Sequence, residues 1–177
     1  MRNLFLPVIM VAGLAAFVGC TATTPALPVV ASLDLKRYLG TWYEIAKLPN
    51  RFESGLTCVT ANYELKENGD IKVTNAGYKV DEPNVRKSAT GTAWVVDPAE
   101  PAKLKVRFFW PFAGAYWVIA LDPDYKYAMV GEPARDYLWI LAREKTLPKE
   151  TISTLLSKAQ SLGFDSSKVE MMPQDCK

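Results

Sequence analysis

From Leu39 onward the chain is a succession of short runs in which apolar and polar residues alternate, each ended by turn-forming residues. A period of two sends neighbouring side chains to opposite faces, so runs of this kind make half-buried strands of an antiparallel all-β domain. The clearest pair covers residues 59–66 and 71–80. Between them Glu67-Asn68-Gly69-Asp70 holds the Asn-Gly step that a tight hairpin turn needs. The same pattern predicts strands at 42–48, 88–96, 103–109, 116–121, 127–130 and 137–143. Eight strands with mostly short links close into an up-and-down antiparallel β-barrel, which leaves no open edge and has room for one small ligand.

One stretch, 148–163, follows a different period. Pro148 and Glu150 stand at its start and Gly163 at its end, while Ile152, Leu155, Leu156, Ala159 and Leu162 recur at helical spacing. A C-terminal α-helix with one apolar face is therefore expected, packed outside the barrel wall.

The N-terminus belongs to neither pattern. Arg2 precedes an apolar run at 4–17, which is short for a membrane span but suits the core of a secretory signal. Residues 1–19 are read as that signal and left out of the fold. The run ends Ala16-Phe17-Val18-Gly19-Cys20, which resembles a bacterial lipobox apart from Phe17. That resemblance implies a lipidated Cys20 as the mature N-terminus, anchored by acyl chains. The alternative is an ordinary cleaved signal with an incidental cysteine. In a host with two membranes, Thr21 after the cysteine is similar to lipoproteins sent to the outer one. Residues 20–31, rich in Thr, Pro and Ala, read as the lipidated end and an extended tether, which leaves 32–177 as one domain.

Composition mostly excludes. The chain has no histidine, which removes His-based triads, His general bases and most zinc sites. A formal charge of +2 without a basic stripe gives no nucleic-acid footprint. Neither a metal nor a cofactor is implied.

Gly40-Thr41-Trp42 opens the first strand: the glycine allows a tight backbone turn while the indole plugs an apolar space. With Asp122-Pro123-Asp124-Tyr125 and the Arg of Leu138-Trp139-Ile140-Leu141-Ala142-Arg143 following in order, and a helix after the last strand, the chain resembles the lipocalin family. Its bacterial and apolipoprotein D-like members are the most similar. The middle motif departs from the usual form by one inserted residue. The resemblance implies that Arg143 lies over the Trp42 indole at a closed barrel end, a structural cation–π contact. It also implies a Cys58–Cys176 disulfide, which two remaining cysteines in an exported protein would form most economically.

If Arg143 and Trp42 face inward, alternation assigns the wall. Tyr137, Trp139 and Leu141 then point inward on the last strand, and Glu44 and Ala46 on the first. Ala61, Tyr63, Val73 and Asn75 follow from the hairpin. Val106, Phe108, Tyr116 and Val118 complete the set. This lining suits an amphiphile with a long hydrocarbon part and a small polar end. The family resemblance implies a lipid-binding protein that stores or transports fatty acids or lysophospholipids, without catalysis, on the periplasmic face of the outer membrane. Whether it is a monomer or a dimer is left open.

Two other readings remain: a lipocalin-fold enzyme acting on a lipid, and a ligand-free structural lipoprotein. Against the first, Cys58 shares its face with Thr60 and Asn62 and points away from the cavity, with no neighbour to lower its pKa. The aromatic stretch 108–114 bears on the second, since part of it is expected in a loop at the open end.

Overall fold

A computed structural model describes residues 25–176 of the chain. The expected signal, Cys20 and the first part of the tether lie outside the described residues. The barrel strands are β1 (Gly40–Lys47), β2 (Leu56–Leu65), β3 (Ile71–Lys79), β4 (Arg86–Val95), β5 (Lys103–Phe109), β6 (Phe112–Leu121), β7 (Tyr127–Gly131) and β8 (Leu138–Ala142). Each pairs antiparallel with the next. The first half of β1 pairs with β2 and its second half with β8, so the sheet closes on itself. The expected eight-stranded barrel is the observed fold.

Closure divides the apolar residues between two cores. One fills the barrel's lower interior, around Trp42, Tyr63, Leu104 and Val130. The other lies between the wall and α2 (Lys149–Ser161), where Leu155 and Ala159 are buried against Met129 and Ile140. Ile152, Leu156 and Leu162 flank them, so the helical stripe packs outside the barrel as its period predicts.

Three elements differ from expectation. A four-residue helix, α1 (Leu35–Tyr38), precedes the barrel, with Asp34 Oδ1 accepting the Lys36 N–H at 2.9 Å as its cap. A short strand, β9 (Glu170–Met171), pairs with β1 at Ala46 and Lys47. And β6 starts at Phe112 rather than at Tyr116, because β5 and β6 run on as a hairpin with Phe109 opposite Phe112. Most of the aromatic stretch is therefore strand, and Phe109, Trp110 and Phe112 are exposed at the hairpin tip.

The tether is shorter than expected. Leu27 is buried in the outer core, and the Val30 N–H donates to the Val118 carbonyl at 3.0 Å. The apolar side chains of Leu27, Val29 and Val30 find burial against the barrel, so the folded body begins before residue 32.

Candidate functional site: a barrel cavity with a polar wall

The closed end fixes one boundary of the site. Gly40 has a positive φ of 88°, the left-handed region that favours glycine, and it turns the chain from α1 into β1. Trp42 is fully buried, its indole N–H donating to the Tyr38 carbonyl at 2.8 Å. The Arg143 guanidinium sits 3.9 Å from the indole centroid and donates to the carbonyls of Thr41, Arg37 and Leu39, each at 2.8 Å. A planar fork with five donors can do both at once; an ammonium cannot.

Above this plug the barrel is hollow. The cavity measures about 420 Å³, within the ordinary size range of small-molecule sites. Glu44 of β1 lines it with Ala61 and Tyr63 of β2, and Val73 and Asn75 of β3. Val106 and Phe108 of β5, Tyr116 of β6, and Tyr137, Trp139 and Leu141 at β8 complete the part of the wall that alternation assigns. Val118 is a correction. It is fully buried in the inner core but has no surface on the cavity, because it lies two residues nearer the closed end than Tyr116.

Ala46 is a second correction, with a physical cause. Glu44 stands opposite Leu141 while Ala46 stands opposite Ile140, so β1 carries one extra residue at Ile45. A bulge of this kind shifts the alternation by one. Ile45 and Ala46 both turn to the outer core, and Lys47 enters the interior in place of Ala46. The loop after β1 supplies the other residues that alternation misses: Arg51 and Phe52 at the mouth, and Glu53 folded inward. Asn50 holds that loop. Its Oδ1 accepts the N–H groups of Phe52 and Glu53 at 3.0 and 3.2 Å, and its Nδ2 donates to Glu53 Oε2 at 3.0 Å. A lone lysine among Ile45, Ala46 and Leu48 is the one sequence sign of this arrangement.

These residues make the cavity's polar wall. Lys47 Nζ donates to Glu53 Oε2 at 3.2 Å and stands 3.9 Å from Glu44 Oε1. The Trp139 indole N–H donates to the same Glu53 carboxylate, at 3.2 Å to Oε1. Burial, and next the charge of Glu53, push the Glu44 carboxyl well above the usual carboxylate range; Lys47 offsets part of this. The linkage sign follows: with its folded pKa above the unfolded one, Glu44 removes stability progressively as pH rises from the ordinary carboxylate range through the raised value.

Deeper in, three tyrosines form a hydroxyl chain. Tyr116 bonds Tyr38 at 2.9 Å and Tyr63 at 2.7 Å. Burial, first among the causes, pushes all three phenols up, so they keep their protons. Three O–H protons and two internal bonds leave one donor for another oxygen.

Cys58 sits on the outer side of β2 and is bonded to Cys176. It therefore offers the cavity no thiol. The cavity wall offers donors, acceptors and apolar surface, an arrangement suited to non-covalent binding.

Comparison with known proteins agrees with this geometry. Residues 33–174 match the family model for a lipocalin-like domain. The chain is 47% identical to outer membrane lipoprotein Blc of Escherichia coli over 164 residues, which is 90% of this chain and 92% of that protein. It is 42% identical to apolipoprotein D of Macaca fascicularis over 156 residues, 84% of this chain and 80% of the other. Among solved structures, insecticyanin of the tobacco hornworm Manduca sexta superimposes with a TM-score of 0.67 at 25% identity, covering 85% of each chain. The plugged, closed barrel with its external helix and a family match over nearly the whole described body place the chain in the lipocalin family.

Proposed function

We propose that this lipocalin binds a fatty acid, a lysophospholipid or a similar amphiphile non-covalently, and stores or carries it in the cell envelope. The observation that carries the reading is the hollow barrel: about 420 Å³ walled largely by Val59, Val73, Val106, Phe108 and Leu141, with a few polar groups set among them. An apolar cavity of this size suits a hydrocarbon chain and discriminates poorly between chains differing by one methylene, so it fits a class of lipids rather than one. The lipobox-like run ending at Cys20 and the likeness to an outer membrane lipoprotein support attachment through lipidated Cys20 at the outer membrane, with the barrel in the periplasm. The polar wall binds and orients; no bond-breaking role is proposed for it.

The test is a titration of delipidated protein with palmitate and with a palmitoyl lysophospholipid, followed by tryptophan fluorescence. Trp139 lies on the cavity wall with its N–H on Glu53, so occupation should change its emission saturably at one lipid per barrel. Trp139→Phe should lose most of that signal while retaining binding by calorimetry. No saturable change in either assay would defeat the reading.

A further inference from the structure

The apolar wall is interrupted by acceptors that no group among the described residues satisfies. Glu44 is 2% exposed, lines the cavity, and its Oε1 has no hydrogen-bond partner. The cation beside it does not fill that role, since Lys47 Nζ is 3.9 Å away and engaged by Glu53 at 3.2 Å. Asn75 Oδ1, also on the cavity wall, is a second buried acceptor without a partner. Leaving such groups unpaired costs the protein their full desolvation, which a donor entering the cavity would offset.

The charges around Glu44 decide which donor. Lys47 and Glu53 neutralise one another, so the wall is neutral with Glu44 protonated and negative with it ionised. It is positive in neither state. We propose that this wall is the head-group subsite for an amphiphile whose polar end donates hydrogen bonds, a hydroxyl or an ammonium, and that a free carboxylate is disfavoured there. The inference rests on the lipid-carrier reading and narrows it. A hydroxyl donates to the Glu44 carboxyl; an ammonium does so while also compensating the charge of an ionised Glu44. A carboxylate at the same depth faces Glu44 and Glu53, and must either endure their repulsion or give up its own charge. Burial, and next the charge of Glu53, push the Glu44 carboxyl toward its acid form, and in either form it keeps an oxygen that can accept.

Three features could favour a carboxylate, the Asn75 amide N–H among them, and none outweighs two carboxylates on the same wall. The single spare O–H of the tyrosine chain is one hydrogen bond, too little to replace the hydration of a buried carboxylate. Arg51 stands at the mouth and is exposed, where solvent and salt screen it.

The experiment compares three probes of equal chain length on delipidated full-length protein at neutral pH: monopalmitoylglycerol, hexadecylamine and palmitate. The first two are expected to bind about tenfold or more tighter than palmitate, the size of one net hydrogen bond to a buried polar partner. In Glu44→Leu that advantage should fall to about twofold or less, on the same scale. Glu44→Gln, which keeps an acceptor oxygen but no charge, should retain the preference for the monoglyceride and lose that for the amine. Palmitate binding as tightly as the other two to the unaltered protein overturns the inference while leaving the carrier reading standing. So does an unchanged order in Glu44→Leu. No binding of any probe overturns both.

Discussion

Replacing Arg143 with alanine is expected to destabilise the protein by about 2–4 kcal/mol, read as a fall of roughly 5–15 °C in the thermal midpoint for a domain of this size. The side chain closes the barrel's lower end in two ways at once. It lies 3.9 Å above the Trp42 centroid and serves three carbonyls that come from α1, the turn after it and β1. Truncation removes the cation from the indole face and leaves the half-buried Leu39 carbonyl without a donor. Water can reach the carbonyls of Arg37 and Thr41, which keeps the loss below the sum of three charged hydrogen bonds. Arg143→Lys is expected to recover less than half, because one point charge cannot stack on the ring and fork to three oxygens. A melting curve for Arg143→Ala that overlays the parent's would show that the plug contributes nothing.

Removing the disulfide by Cys58→Ala with Cys176→Ala should cost about 2–5 kcal/mol. The bridge spans a sequence separation of 118 residues, long enough for the chain-entropy account to give a value near the top of that range. The tail has other holds besides the bridge. The Gln174 side chain donates to the carbonyls of Glu44 and Val59 at 2.8 Å, and the Met172 N–H donates to Ile45 at 2.9 Å. The tail should therefore stay docked at room temperature and release early on heating. Reducing the unaltered protein should reproduce the double variant's midpoint. Two alkylatable thiols in protein purified without reductant would contradict the bridge.

What could be read from residues alone follows a physical division. Strand existence, barrel closure and the helix's buried face come from periodicity, which burial enforces along whole elements; the strands of β2, β3 and β8 and the stripe Leu155–Ala159 were legible for that reason. The Trp42–Arg143 contact was legible only through family resemblance, since nothing in the spacing of two residues a hundred positions apart reports their proximity. The polar wall was half visible. Glu44 follows from alternation, whereas Lys47 enters only because Ile45 is bulged, and the lone lysine in an apolar run is the one mark that bulge leaves in the sequence. Glu53 comes from a loop, where alternation says nothing and the Asn50 side chain sets direction. Leu27 was hidden by its setting, in a short segment whose Thr, Pro and Ala content matches a linker.

The stability cost of the site and its function come from the same groups. A buried Glu44 with an open oxygen is a poor choice for a core that only has to be stable, and a reasonable one for a cavity that has to be filled. Everything proposed about ligand class depends on the hollow above Trp42 being occupied by lipid in the cell. That claim is tested most directly by extracting the protein, purified from its host without added detergent lipid, into organic solvent and weighing what leaves it by mass spectrometry. A lipid carrying one hydrocarbon chain, recovered at close to one molecule per barrel, is the predicted result. An extract with no lipid, from protein whose cavity also fails to take one up, would contradict it.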